Sequence, residues 1–386
     1  MEDGQQVREN KFKYFIDDYW DIFLGIASIV LAFYFHEHGK MVIATLFAAI
    51  GIGSLSLTVS EVAEILSERL QEPYGSFVLT LSAVIVEIIL LYIILLQVHQ
   101  SPEVLNTVKG GIISAVIVDM NVLLGLALFF GGLKFRQQEH NKETSSSYTT
   151  ILFVASVALL VPSLIGKSAH HTQDQLIQAS IIISMLLFVF YLIIIIFQTK
   201  THTHFFKQTA RSRIFRLKRK MSEEDTNQED DYIFEKFNNF GLIFSIFLFI
   251  AVIALGAEVF ANDGIKLAKE YGISAGLSGL LIAIVAVSPE IVTAIKAAKN
   301  DEVQRVVNIA MGASTVSILL TVPVLMLLAY YSNIPLTLDF NPLEIGALIL
   351  TILLVSKTTD DGHTNYFEGI SHLIFFTAYV IIAAYY

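Results

Sequence analysis

The sequence predicts an all-α polytopic membrane protein with about eleven transmembrane helices, one N-terminal helix followed by two inverted five-helix repeats. Hydrophobic residues make up 54% of the 386 positions and charged residues only 16%. That balance leaves too little polar surface for a soluble protein of this length. The apolar runs are long and lack period-two alternation, so helices rather than barrel strands satisfy the backbone in lipid. Because there is no cysteine, disulfides, thiolate catalysis and Cys-based zinc sites are excluded.

Eleven runs of the chain are long and apolar enough to be candidate spans, since a helix crosses a bilayer in roughly 20 residues. The predicted spans are Trp20–Phe35, Met41–Leu66, Gly75–Gln97, Val108–Leu133, Tyr148–Ile165, Leu176–Gln198, Phe240–Phe260, Gly272–Ala297, Val303–Tyr331, Leu343–Val355 and Tyr366–Tyr385. Residues 1–18 are polar and carry both signs of charge, so we expect no cleaved signal peptide.

The distribution of Lys and Arg predicts the orientation of these helices. If the N-terminus and every second loop are cytoplasmic, those segments carry most of the 25 basic residues and the opposite side carries few. Those on the opposite side are Lys40, Lys109, Lys167, Lys266 and Lys269. Cytoplasmic loops attract Lys and Arg. We therefore predict that the N-terminus lies on the cytoplasmic side of the membrane and the C-terminus on the opposite side.

A long central loop divides the chain into two similar halves. We predict a tail and first helix (residues 1–38), a first five-helix repeat (39–198), a cytoplasmic loop (199–239) and a second five-helix repeat (240–386). An odd number of helices per repeat inverts the second one, an architecture that places transport sites at the repeat interface. The loop begins basic and turns acidic, and its acidic part is either a solvated linker or a regulatory cation sensor. The acidic residues are Glu223, Glu224, Asp225, Glu229, Asp230 and Asp231.

Two spans at matched places in the repeats each contain a single ionisable residue, Glu87 in the first and Glu290 in the second. A charge at the bilayer centre costs from about 3 to more than 10 kcal/mol, so such residues are functional by default. The structural alternative is that each glutamate serves only to make an interhelical hydrogen bond. That alternative is weakened because two glutamates occur at matched places in the two repeats. Pro289 removes a backbone hydrogen bond beside Glu290 and predicts a discontinuous helix that offers carbonyl oxygens to a cation.

The span after each glutamate-bearing span is rich in small and polar residues, which allow close helix approach. Candidate supporting ligands for a cation are Ser82, Asp119, Asn121, Ser288, Asn308, Ser314 and Ser317. The segment Gly272–Gly276 matches the G-x-S-x-G pattern of hydrolases. It opens a membrane span rather than a strand–turn–helix unit, so we interpret it as a close-packing segment.

Several segments around these residues resemble the ChaA-type calcium/sodium–proton antiporters of the cation/calcium exchanger superfamily. The similar segments run from Glu72 to Glu87, Gln198 to His202, Ser288 to Glu290, Val303 to Asn308 and Ser371 to Leu373. The resemblance covers most of the chain from about Glu61 onward. It implies a regulatory first helix, two five-helix repeats, an acidic cytoplasmic stretch between them, and Glu87 and Glu290 as the carboxylates that bind cations and protons.

The chain departs from the wider superfamily directly ahead of both glutamates. Many calcium–proton exchangers carry a Gly-Asn pair there, whereas this chain has Val84-Ile85 and Ala286-Val287. Two amide ligands are therefore missing. Calcium, sodium and potassium all stay open as the transported cation.

Two buried carboxylates suggest how exchange without leak would work. Together they carry a charge of −2, which one Ca²⁺ or two protons neutralise equally well. An empty site would carry uncompensated charge through a low dielectric, so we expect the site to reorient only when filled. The predicted function is an antiporter, not an enzyme, that exchanges Ca²⁺ for protons, with Na⁺ or K⁺ in place of Ca²⁺ as the alternative.

A cation channel or a receptor without proton coupling is the alternative class of protein. An intramembrane enzyme would need a nucleophile–base or metal constellation, and the sequence offers none that is convincing. We expect no cofactor beyond the transported ions. The expected partners are the lipid bilayer and inorganic cations, with no nucleic acid and with a homo-oligomer as an open alternative.

Overall fold

The computed structural model describes residues 2–70, 74–99, 101–166, 172–206 and 232–385. Eleven long helices occur in this part of the chain. They are α1 Glu2–Glu37, α2 Met41–Arg69, α3 Tyr74–Leu96, α4 Val104–Phe135, α5 Lys142–Gly166, α6 Gln173–Ile196, α7 Asn239–Glu270, α8 Ala275–Lys299, α9 Val303–Tyr331, α10 Pro342–Thr358 and α11 Tyr366–Tyr385. The eleven predicted spans all coincide with these helices, which confirms the predicted fold class.

Ten of the eleven described helices are long and apolar enough to cross a membrane. The exception is α10, which has 17 residues. The first helix begins at Glu2, so the polar tail expected before the first span continues that helix. Two short strands were not predicted: β1 Gln137–Glu139 and β2 His363–Asn365 pair antiparallel and join the α4–α5 and α10–α11 connections.

Helix starts follow capping signals in the sequence. The Thr172 and Gln175 side chains form a capping box at the start of α6, and Asn341 and Glu344 form another at α10, where a proline also occupies the first turn. Ser274 caps α8 through the amide of residue 277. These side chains satisfy amides that would otherwise lack partners at helix ends.

The two repeats interlock rather than lie side by side. The first helices of the repeats, α2 and α7, pack against each other, and α1 packs on both. The second helix of each repeat packs against the third helix of the other, α8 on α4 and α3 on α9. The last helices exchange in the same way, α11 on α4 and α6 on α9. This reciprocal pairing places the middles of α3, α4, α8 and α9 together in the core.

The third helix of each repeat contains a π-helical segment at an equivalent place. In α4 it covers Val118–Leu123, and in α9 it covers Ser317–Thr321. A π turn inserts one extra residue, redirects nearby side chains and is frequent at functional sites. Both segments are almost entirely buried, so each one presents polar side chains to the protein interior rather than to lipid.

Glycines bring α4 and α8 into direct backbone contact. A Cβ added to Gly279 would lie 2.4 Å from the Gly111 nitrogen and 2.6 Å from the Gly110 carbonyl carbon. A separation this short has no room for any side chain on that face of α8. Gly276 starts the same helix, and a Cβ there would meet nothing within 4 Å.

The Lys and Arg count assigned Lys109 to the external side, at the very start of the predicted span Val108–Leu133. It lies inside α4, is 8% exposed, and its Nζ atom is 2.6 Å from Asp339 Oδ1 in the α9–α10 connection. The ion pair explains its position, since a paired lysine can enter the helix bundle where an unpaired one could not. Only the hydropathy of the neighbouring residues had set the predicted start of this span.

Candidate cation and proton site

Glu87 lies near the middle of α3 and is 8% exposed. Its Oε2 atom accepts hydrogen bonds from Ser317 Oγ at 2.7 Å and Thr321 Oγ1 at 3.4 Å. These two hydroxyls are one helical turn apart in the π segment of α9. Its Oε1 atom is buried and has no hydrogen-bond partner. One oxygen of Glu87 is thus held by the second repeat and the other is available.

Glu290 lies in α8 beside a small cavity of about 20 Å³, measured as space for the centre of a water molecule. That volume accommodates one water or a cation of similar size. Its Oε2 atom is buried and has no hydrogen-bond partner. The cavity is lined by Ser56, Val59, Ser60, Ala83, Val86, Ala286, Pro289 and Glu290.

Asp119 is a third buried carboxylate, in the π segment of α4 and 1% exposed. Its Oδ2 atom accepts a hydrogen bond from Ser314 Oγ at 3.0 Å, and its Oδ1 atom has no partner. Its charge interacts with those of Glu290 and Glu87. Three carboxylates from three helices therefore share one electrostatic environment in the core.

The three carboxylates lack the basic partners that buried acids normally require. None of them takes part in an ion pair within the described residues. Each also has one buried oxygen without a hydrogen bond. Within the same residues, no three His, Asp or Glu side chains lie close enough together to hold a metal ion. The site is therefore characterised by uncompensated negative charge and not by a preformed set of acidic metal ligands.

The prediction of a discontinuous helix at Pro289 is wrong. The helix α8 continues through Pro289 and on to Lys299, which leaves Glu290 well inside it. Proline cannot donate to the carbonyl four residues earlier, that of Val285. Ser288 Oγ donates to this carbonyl instead, at 2.8 Å. The hydroxyl replaces the missing amide, so the carbonyl is occupied and the helix does not break.

Three of the predicted supporting residues make other contacts. Ser82 Oγ donates to the Val78 carbonyl of its own helix, and Ser288 does the same with Val285. Asn308 donates to the Phe206 carbonyl at 3.1 Å and so anchors the segment after α6. Among the described residues, their hydrogen bonds lie within one helix or with the segment after α6, and not with the carboxylates.

Asn121 belongs to a buried polar network beside the site. Its Nδ2 atom donates to Thr351 Oγ1 at 2.9 Å, and its Oδ1 atom is 3.1 Å from His372 Nδ1. His372 Nε2 lies 2.8 Å from Thr358 Oγ1. The network ties the π segment of α4 to α10 and α11. It gives His372, which is fully buried, a role in holding three helices together.

Sequence reasoning found Ser314 and Ser317 but missed Thr321, Ser56 and Ser60 at the site. Thr321 could have been found, because it follows Ser317 by four residues and so shares its helix face. Ser56 and Ser60 have the same spacing in α2. The predicted regulatory acids from Glu223 to Asp231 lie outside the described residues.

A membrane-embedded bundle of two inverted repeats, with an acid from each repeat that buries a carboxylate oxygen at their interface, defines the class of secondary transporters. The chain belongs to the sodium/calcium exchanger protein family, whose sequence model matches residues 39–200 and 241–385.

Several individual proteins are similar to this chain over most of their length. The sodium-potassium/proton antiporter ChaA of Escherichia coli K12 is 29% identical over 338 residues, which is 87% of each chain. A Ca²⁺/H⁺ antiporter of Synechocystis is 24% identical over 302 residues, covering 77% of this chain and 78% of the relative. The solved structure of native YfkE superposes with a TM-score of 0.75 at 20% identity, covering 95% of this chain and 100% of that one. The superposition supports the fold alone.

Proposed function

We propose that this protein is an antiporter that exchanges Ca²⁺ for protons, with Glu87 and Glu290 binding the cation and the protons alternately. One observation carries the proposal: within the described residues, a glutamate from each repeat has a buried carboxylate oxygen without a hydrogen-bond partner and without a compensating base. A site of this kind requires positive charge from outside the protein. One Ca²⁺ or two protons supply it equally, and the empty site is too costly to reorient.

Oxygen atoms near the glutamates are sufficient in kind for a hard cation. Ca²⁺ takes six to eight oxygen ligands from carboxylates, hydroxyls, carbonyls and water. The side chains of Glu87, Glu290 and Asp119 do not lie close enough together to hold a metal ion as they stand. On binding, the ion would draw in their free oxygens as carboxylate ligands, while Ser317 and Thr321 hold the second oxygen of Glu87. Water in the Glu290 cavity would complete the shell. In this proposal Asp119 stands in for amide ligands that the chain lacks ahead of both glutamates.

Sodium or potassium in exchange for protons is the second candidate. It is favoured by the similarity to the E. coli antiporter, whose name specifies these two ions. A monovalent cation needs fewer ligands and would neutralise one carboxylate while the other keeps a proton. The basic residues on the loops support a cytoplasmic N-terminus in a bacterial inner membrane, and under that orientation proton influx would drive cation export.

Everted membrane vesicles provide the test. The vesicles are energised with a proton gradient, which a pH-sensitive dye reports, and Ca²⁺, Na⁺ or K⁺ is then added. We expect Ca²⁺ to collapse the gradient with the wild-type protein and not with Glu87→Gln. Ser317→Ala removes a hydrogen bond to a charged group, about 1.5 kcal/mol, so the apparent cation affinity should fall by about tenfold.

Ser184→Ala is the matched control for the Ser317 variant. Ser184 is also buried in a span, but its hydroxyl donates only to the Ile181 carbonyl of its own helix. Its variant should transport like the wild type. A Glu87→Gln protein that exchanges at the wild-type rate contradicts the mechanism, and a gradient that no cation collapses contradicts antiport and favours a channel or receptor.

A further inference from the structure

The N-terminal helix carries a buried carboxylate that the exchange mechanism does not use. Asp21 of α1 is 3% exposed, although it lies at the start of a membrane span. Its Oδ2 atom accepts a hydrogen bond from Thr58 Oγ1 of α2 at 2.5 Å. Its Oδ1 atom is buried and has no hydrogen-bond partner. A carboxylate in this setting needs positive charge nearby.

A second carboxylate faces Asp21 from α2. Glu61 follows Thr58 by three residues, so the two side chains lie on one face of that helix. The charges of Asp21 and Glu61 repel each other. Tyr232 Oη donates to Glu61 Oε2 at 3.3 Å. Burial, followed by the charges of Glu61 and Asp21, raises the pKa of Tyr232 well above its usual range.

Within the part of the chain that the structure describes, the basic residues around this pair leave Asp21 uncompensated. Lys296 Nζ is 4.0 Å from Glu61 Oε1, and the lysine side chain is 70% exposed, so solvent screens this contact. Arg305 is bonded to Glu64, one turn beyond Glu61. Neither basic side chain pairs with Asp21. Counting the described residues alone, the cluster therefore has an excess of negative charge on its buried side.

We propose that Asp21 and Glu61 form a second cation site, distinct from the transport site, which holds a divalent cation such as Ca²⁺ between α1 and α2. Carboxylate and hydroxyl oxygens are the ligands that hard divalent cations prefer, and Thr58 contributes the hydroxyl. The Glu61 side chain is 43% exposed, so the ion reaches the site from solvent. With only two acids, water completes the coordination shell.

An ion at this site would clamp three parts of the protein together. Besides α1 and α2, the segment before α7 meets here: Tyr19 Oη accepts from the Ile233 amide at 2.7 Å. Arg69 donates to the carbonyl oxygens of Glu235 and Phe237. Ser60, which lines the Glu290 cavity, directly precedes Glu61. The cation would thus stabilise the helix that borders the transport cavity.

Terbium luminescence tests the site without relying on transport. Tb³⁺ replaces Ca²⁺ at oxygen sites and emits when excited tyrosines lie close to it. Tyr19 and Tyr232 stack here with ring centroids 5.4 Å apart. The experiment uses the full-length protein with the substitutions Glu87→Gln and Glu290→Gln, which remove the two carboxylates of the transport site. In this background we expect saturable Tb³⁺ emission that Ca²⁺ competes away. Asp21→Asn and Glu61→Gln should each weaken the affinity by at least about tenfold.

Glu258→Gln is the control, because Glu258 is an exposed acid at the corresponding part of α7. It should leave the Tyr-sensitised emission unchanged, and a change equal to that of Asp21→Asn would overturn the assignment. Folding of each variant is checked by its thermal melting and elution profile. Since Glu61 is partly exposed, its variant tests the site even where Asp21→Asn fails to fold. Unchanged Tb³⁺ affinity in either folded variant, or no sensitised emission in the background protein, overturns the proposal.

Discussion

Single residues show how this protein treats buried charge in two different ways. Lys109 and Asp339 compensate each other at 2.6 Å, and Thr337 Oγ1 adds a hydrogen bond to Asp339. Glu87 and Glu290, in contrast, have no basic partner in the described residues. The first arrangement stabilises the fold, whereas the second leaves a charge that only a mobile ion can satisfy. Asp21 belongs to the second kind.

The Lys109–Asp339 pair predicts a pH-dependent contribution to stability. Burial alone would raise the pKa of Asp339, but the hydrogen bonds from Lys109 and Thr337 outweigh it and hold the pKa below its usual range. The contribution is therefore fully present above the unfolded-state pKa of about 3.9 and is lost as pH falls through the lower folded value. Asp339→Asn should cost about 1–2 kcal/mol near neutral pH, less than a fully buried pair because Asp339 is 38% exposed.

Thermal melting of the purified protein between pH 7 and pH 3 checks this prediction. The melting temperature of Asp339→Asn should lie below that of the wild type at pH 7, and the difference should shrink toward pH 3. Glu270→Gln, an exposed acid on a neighbouring helix end, serves as the control and should follow the wild type throughout. A constant difference at every pH would show that the ion pair is not the cause.

Whole helices are positioned by features that act over one or two turns. The π segments of α4 and α9 direct Asp119 and Ser317 inward, and the Ser288 hydroxyl keeps α8 continuous at Pro289. The contact of Gly279 with Gly111 sets how closely α8 approaches α4. Because α8 carries Glu290 and α4 carries Asp119, this approach decides the spacing of the carboxylates.

Gly279→Ala should therefore impair both stability and exchange. The added methyl group meets backbone atoms that cannot move aside, so the helices must separate, at a cost of about 1–3 kcal/mol or more. Gly276→Ala in the same helix is the matched control. Its methyl group meets nothing within 4 Å, and alanine favours helix over glycine by up to about 1 kcal/mol.

The measurements are the thermal melting temperature and the initial exchange rate of both variants. We expect the Gly276 variant to equal or exceed the wild type in melting temperature and to retain exchange. If Gly279→Ala melts and transports like the wild type, the close approach of α4 and α8 is not required.

At the scale of the whole molecule, the inverted repeats place equivalent helices in opposite directions. The helices α2 and α7 meet at the centre, and α3 and α8 bring their glutamates toward the same region from opposed directions. An alternating transporter needs such a relation, because one pseudo-symmetric site then has equivalent routes to both sides. The opposite directions of equivalent helices also predict which end of each helix lies on which side of the membrane.

Cysteine labelling checks this sidedness, since the natural chain contains no cysteine. Glu270→Cys and Asn300→Cys lie at exposed positions on either side of α8. A membrane-impermeant maleimide should label Glu270→Cys in intact cells and Asn300→Cys only in everted vesicles. The cysteine-free parent protein controls for background. The reverse pattern would place the N-terminus outside and contradict the orientation derived from Lys and Arg.

The helices and their order could be predicted from the sequence alone, and the two glutamates stood out in it as candidates. Each of these follows from a local rule: lipid demands long apolar helices, and a lone acid inside such a run is costly enough to be conspicuous. The repeat was equally visible, because matched acids recur in matched spans. Thr321 could have been predicted in the same way, because it follows Ser317 by four residues along the helix.

The contacts between polar side chains could not be predicted from the sequence and are visible in the folded protein alone. Asn308 looked like a ligand and instead holds the segment after α6, and the sequence did not reveal that Lys109 pairs with Asp339. The sequence did not single out Asp21, whose hydrogen bond with Thr58 of α2 is visible in the structure. The physical reason is that a polar residue's energy in the membrane depends on its partner. Partners more than 200 residues apart, such as Glu87 and Ser317, are chosen by packing and not by local sequence.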